Sequence, residues 1–156
     1  MVYCVNMKTE EIRSLAGKYG IVLIYLFGSK TEEGKRYLKG ESIIPQEYSD
    51  LDISIAFENA PSDPMKIHGA LYKELSDIFE PFHIDLLFLH EVDPIFQYEI
   101  IKGSRIYEKD EYYADDIEEM IMKKAEDLIF KKRVFNQEIV GAIEDGYFEF
   151  KYHPHP

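Results

Sequence analysis

Seven apolar residues follow one another without a break from Ile21 to Phe27, reading IVLIYLF. The run is strand-sized and falls far short of the ~20 residues a membrane-crossing helix needs. It shows no alternation of polar and apolar residues, so as a strand it is buried on both faces. Around it lies a chain of 156 residues, 46% hydrophobic and 31% charged. Those proportions describe one soluble domain with a core of its own. No basic segment followed by an apolar stretch opens the sequence, so no secretory signal is expected and no membrane either.

The other elements arrange themselves about that strand. Ile12, Leu15, Ala16 and Tyr19 recur at helical spacing, with Thr9 as the expected cap and Gly20 as the stop. After Gly28 and Ser29, a polar stretch from Thr31 to Ser49 predicts a short helix and then a loop or hairpin. From Asp50 to Phe57 the pattern alternates. Leu51, Ile53, Ile55 and Phe57 take one face, and Asp50, Asp52, Ser54 and Ala56 take the other. Asp63-Pro64 opens a helix whose stripe is Ile67, Leu71, Leu75, Ile78 and Phe79. His83 to Leu89 reads as a third strand. Asp93-Pro94 opens a helix to about Lys102, and Arg105 to Tyr107 reads as a short strand. A long amphipathic helix over about 112–139 carries Ile117, Ile121, Leu128, Phe135 and Ile139 on its stripe, and an aromatic, His/Pro-rich tail ends the chain. Strands alternating with helices, and helices gathered at the C-terminus, give an α/β or α+β sheet domain.

Charge narrows the partners. Eighteen Lys and Arg stand against 30 Asp and Glu, a net charge of −12. Duplex nucleic acid is not expected, because phosphate binding runs on cations. The one cysteine, Cys4, can form no internal disulfide and suits a reducing cytoplasm.

The chemistry gathers at Asp50 and Asp52. Carboxylates at i and i+2 of a strand share a face, their Cα atoms about 6.5–7 Å apart. Two acids so placed repel unless a cation sits between them, and hard oxygen donors suit Mg²⁺ or Mn²⁺. The plainer reading is a pair of solvent-facing acids at an edge. Asp85, set among Ile84, Leu86, Leu87 and Phe88, is costly there unless paired or metal-bound. Paired with a Lys or Arg it would be structural. Beside Asp50 and Asp52 it would make three carboxylates, enough for two metal ions and an in-line phosphoryl displacement. Gly28 and Ser29 stand where a buried strand gives way to a helix, a place where backbone N–H groups meet phosphate. Alone, Ser29 could equally be an ordinary cap.

Taken in order, a strand, Gly28-Ser29, Ser49-Asp50-Leu51-Asp52-Ile53, a helix and Asp85 on a strand resemble the nucleotidyltransferases of the DNA polymerase beta superfamily. The nearest look is the minimal nucleotidyltransferase (MNT) group, whose members often act as antitoxins beside a HEPN-domain toxin. A looser likeness runs from Tyr98 to Glu108. The resemblance implies a polymerase-beta-like fold, a mixed sheet with flanking helices and a C-terminal helical tail. It divides the chain into a nucleotidyltransferase domain over 1–109 and a helical extension over 110–156 packed on it. It implies Asp50, Asp52 and Asp85 as catalytic metal ligands for two Mg²⁺ or Mn²⁺ ions. Gly28 and Ser29 would hold the phosphates of a nucleoside triphosphate, ATP by analogy. The acceptor would be a hydroxyl, as on a Tyr of a HEPN-type toxin. A homo-oligomer is left open. So are a pure binding module and an antibiotic-modifying transferase.

Two departures stand out. Twenty residues lie between Ser29 and Asp50, more than small members of that family usually have, and the surplus near 37–48 implies a flap beside the site. Many relatives place Ala-Arg-Gly shortly after the Ser, whereas this chain has Thr31-Glu32-Glu33-Gly34. Lys30, Lys35 or Arg36 is then expected to supply the missing positive charge.

Overall fold

The computed structural model describes residues 2–45 and 49–146, with side chains described from Met7. Helix α1 (Val2–Tyr19) leads into strand β1 (Ile21–Phe27), then α2 (Thr31–Leu38) and β2 (Leu51–Phe57). Next come α3 (Pro64–Ile78), β3 (Ile84–Phe88), a single 3₁₀ turn (Leu89–Glu91) and α4 (Pro94–Ile101). Strand β4 (Ser104–Glu108) and the long α5 (Glu111–Glu144) complete the order. The four strands form one sheet in the order β3-β2-β1-β4. β1 runs antiparallel to both β2 and β4, and β2 runs parallel to β3. This is a mixed sheet in an α+β domain, the architecture expected from the sequence.

All seven residues of β1 are buried, because helices cover both faces of the sheet. One face packs Ile24, Leu26, Ile53, Ile55, Leu86 and Phe88 against α1 and α3 through Ile12, Leu15, Leu71 and Leu75. The other packs Leu23, Tyr25 and Phe27 against α4 and α5 through Ile100, Ala114 and Ile121. Burying such side chains contributes roughly 1.5–3 kcal/mol each. Gly34 lets α2 lie close, since a Cβ there would meet Leu26 and Leu51 Cδ1 atoms at 2.8 Å.

Asp63, Asp93 and Asp110 each cap a helix by accepting backbone N–H bonds. Thr9 does not. The helix already begins at Val2, so Thr9 lies inside it rather than at its start. Among the described residues, 39–45 and 49–50 contain no strand, so the expected connection is a loop and not a hairpin there. The stripe of α5 divides. Ala114, Ile121 and Ala125 are buried, but Leu128 is 38% and Phe135 60% exposed. Residues 147–156, the expected tail, lie outside the described residues. No helix among the described residues is long and apolar enough to cross a membrane.

Candidate functional site

The sheet topology brings the sequence-predicted acids together. Phe27, the last residue of β1, pairs in register with Asp52, and Asp52 pairs with Asp85 across the parallel ladder. Asp52 therefore stands between the end of β1 and the start of β3. Asp50 lies two residues upstream, at the mouth of β2. Asp52 is half-buried, whereas Asp50 and Asp85 are exposed. The sequence argument for Asp85 rested on burial, and that part is corrected. β3 is short, and its second residue faces out.

Asp52 feels the other two carboxylates. Burial, then the charge of Asp85, then that of Asp50, raise the Asp52 carboxyl above its ordinary value of 3.8. None of the three has a cationic partner among the described residues. Three hard oxygen donors with uncompensated charge suit Mg²⁺ or Mn²⁺. As placed, no three acid, imidazole or thiol groups among the described residues are gathered tightly enough to cage an ion.

Gly28 follows β1 at φ +76°, in the left-handed region glycine favours. A Cβ there would sit 2.3 Å from Asp52 Oδ2, so only glycine lets the turn lie directly on the carboxylate. Ser29 is exposed in that turn. It is not the cap of α2: Lys30 occupies that position, and no side chain caps the helix. The first-turn N–H groups of α2 thus have no intrahelical acceptor. Thr31 Oγ1 donates to the Gly28 carbonyl at 2.9 Å and holds the turn.

A cleft of about 450 Å³ opens beside Gly28, lined by Thr31, Glu32, Lys35, Glu99, Lys102, Gly103 and Ser104. Of the cations expected from the sequence, Lys35 reaches it, with Glu32 at 3.4 Å. Lys30 does not line it. Its side chain is only 10% exposed and pairs with Glu33 at 3.1 Å. Arg36 pairs with Glu41 at 2.7 Å, also off the cleft. The cation that sequence reasoning missed is Lys102, at the end of α4. Gly103 brings it there: a Cβ on Gly103 would lie 2.2 Å from the Leu26 carbonyl oxygen and 2.9 Å from Phe27 Cα. A Lys-Gly pair closing the helix before β4 was the available signal. His83, two residues before Asp85, is exposed.

The flap expected over 37–48 begins firmly. Tyr37 packs edge-on against Phe82, accepts a 2.8 Å hydrogen bond from Lys8 Nζ, and donates to the Glu80 carbonyl. Residues 46–48 lie outside the described residues.

Comparisons agree with this fold. Residues 10–112, more than half of the chain, match the family model for polymerase beta nucleotidyltransferases. No curated protein matches. Among solved structures, a mutant of the MntA–HepT toxin–antitoxin pair matches with a TM-score of 0.57 and 16% identity, covering 87% of this chain and 98% of that chain. A toxin–antitoxin structure with AMP-PNP gives 0.56 and 16%, with the same coverage. A tri-AMPylated Shewanella oneidensis HEPN toxin in complex with MNT antitoxin gives 0.53 and 17%, covering 90% and 98%. At these identities the likeness is one of fold.

Proposed function

Because the chain belongs to the polymerase beta nucleotidyltransferase family, we propose that it transfers a nucleoside monophosphate, AMP from ATP, to a hydroxyl on a partner protein. The observation that carries this reading is the register of Asp52 with Asp85 beneath Gly28, with Asp50 at the strand mouth and no cation to neutralise them. Structural neighbours include an AMPylated HEPN toxin held by an MNT antitoxin. On this reading the acceptor is a HEPN-type toxin, on a tyrosine as the resemblance to MNT antitoxins implies, and the transfer takes place in the cytoplasm.

Asp50, Asp52 and Asp85 would hold Mg²⁺ or Mn²⁺, which supplies charge neutralisation at the triphosphate and eases ionisation of the acceptor hydroxyl. Gly28, Ser29 and the open first turn of α2 receive the phosphates through N–H groups and a hydroxyl. Lys35 adds a cation from the same cleft, and Lys30 supports the turn from beneath through its ion pair. The acceptor oxygen forms a bond to the α-phosphorus while the bond to the bridging β-oxygen breaks, and pyrophosphate leaves. Asp85, open to solvent, helps draw the proton from the hydroxyl. Catalysis of this kind is mostly positioning and charge stabilisation.

A second reading has its own observation. The far half of α5 exposes Phe130, Phe135, Val140 and Ile143, apolar side chains spread around the helix that a partner could cover without chemistry. One experiment separates the two. The protein is incubated with ATP, Mg²⁺ and a HEPN-type protein encoded beside it, and the partner is weighed as an intact mass. Added AMP that disappears with Asp52→Asn supports the transferase. A stable complex of unchanged mass supports the binding module.

A further inference from the structure

The cleft beside Gly28 joins two elements that the sequence keeps about 70 residues apart, and it carries a cation from each. We infer that Lys102 and Lys35 together clamp the β- and γ-phosphates of the nucleotide, and that Glu99 and Glu32 hold these lysines until a polyphosphate displaces them. This rests on the transferase reading and adds to it the residue that makes up for the missing arginine.

Four observations support it. First, the place is right. Gly28 lines the cleft and also lies against the Asp52 carboxylate, so it is the residue shared by the cleft and the carboxylates, over which a phosphate chain would pass. Second, the alternatives stand off the cleft: neither Lys30, buried on Glu33, nor Arg36 lines it. Third, Lys102 is held in reach. Its ammonium lies 4.8 Å from the centre of the Tyr98 ring and 2.6 Å from Glu99, and Gly103 fixes the end of α4 against β1. Fourth, both cations are paired with acids three residues away on their own helices, in half-open positions. Exposed pairs of that kind are weak in water and readily exchanged. A ligand with several negative charges competes well against a single carboxylate, and a monophosphate does so poorly.

The arrangement also suits the surface. A chain of net charge −12 repels a polyanion at a distance. Two lysines neutralised by their own glutamates present no standing attraction for stray anions. They become available only to a ligand whose charge outweighs the glutamates. The clamp therefore favours triphosphate and pyrophosphate over AMP, and it predicts inhibition by the pyrophosphate released.

The test is calorimetric titration of the full-length protein with Mg²⁺-pyrophosphate, Mg²⁺-ATP and AMP, alongside KM and kcat for AMP transfer. Lys102→Ala should weaken pyrophosphate and ATP by about tenfold and raise KM for ATP more than it lowers kcat. Lys102→Arg should restore most of that loss. Glu99→Gln removes the competing charge and should tighten pyrophosphate severalfold while leaving AMP unchanged, a result that a purely structural lysine would not give. Wild-type binding of both ligands that is indifferent to Lys102→Ala and Glu99→Gln would overturn the clamp and leave the transferase standing. Failure of the wild type to bind any of them with Mg²⁺ or Mn²⁺ would overturn both.

Discussion

Two groups of three acids gather on the same face of the sheet and meet opposite fates. At the β4 edge, Glu108, Asp115 and Glu118 converge on Arg105, with Asp115 and Glu118 each 2.9 Å from its Nη2 and Glu108 on its Nη1. Tyr25 of β1 donates a 2.5 Å hydrogen bond to Glu118, so the cluster ties the central strand, β4 and α5 together. Around Asp52 the counterpart group has no arginine or lysine at all among the described residues. One cluster is solved as structure and the other is left with its repulsion intact. In a chain with 30 acids, an acidic residue says little. An acidic cluster that the fold could have neutralised, and did not, is what the proposed metal-dependent transfer would require.

The contrast is most sharply tested by activity. Asp52→Asn or Asp85→Asn should lower AMP transfer on the order of a hundred- to a thousandfold, with near-wild-type circular dichroism. The reverse pattern is expected at the other cluster. Arg105→Met strands three acids around an absent charge and should cost about 3 kcal/mol in denaturant unfolding. Transfer per folded molecule should persist there. Equal loss of stability at both clusters, or equal loss of activity, would erase the distinction.

Metal should separate them as well. Mn²⁺ binding to the folded state alone stabilises it by about 2.7 kcal/mol at a hundredfold excess over Kd. A thermal melt should rise with Mn²⁺ in the wild type and in Arg105→Met, and fail to rise in Asp52→Asn. A rise that survives Asp52→Asn would place the ion elsewhere.

Much of this site could be read from the sequence because strand periodicity is strict. Asp52 had to lie opposite Leu51, Ile53 and Ile55, with Asp50 just ahead of the strand, and the apolar run of β1 fixed where Gly28 turns. Asp85 was found for an imperfect reason. Its neighbours suggested burial, but what brings it to the site is the parallel register with Asp52, which no local pattern displays. Lys30 shows the opposite failure. It adjoins Ser29 in the sequence, yet the entry into α2 turns it inward. Lys102 was missed because the Lys-Gly pair that closes α4 does not show by itself the long-range approach of backbone at Gly103 that brings it to the cleft. The exposed Leu128 and Phe135 carry the same lesson. Periodicity reports that a helix has an apolar stripe, and only the packing of neighbours decides how far along the helix that stripe is covered.

The smallest effect is also the most specific, because it concerns the sign of one residue's contribution. Burial and the charges of Asp85 and Asp50 raise Asp52 above the ordinary aspartate value. In the unfolded chain it ionises at that ordinary value. The folded state therefore holds this proton more tightly, and the stability linked to it is complete below the unfolded pKa and is lost as pH rises through the raised folded one. At neutral pH, without metal, the ionised side chain is a burden on the fold. Asp52→Asn removes it, so with chelator present the variant should melt slightly above the wild type at pH 7. The gap should close as the pH falls below the ordinary aspartate range, where wild-type Asp52 is neutral too. A variant that melts lower than wild type at pH 7 in chelator would mean that Asp52 already has a stabilising partner. The two acidic clusters would then be alike after all.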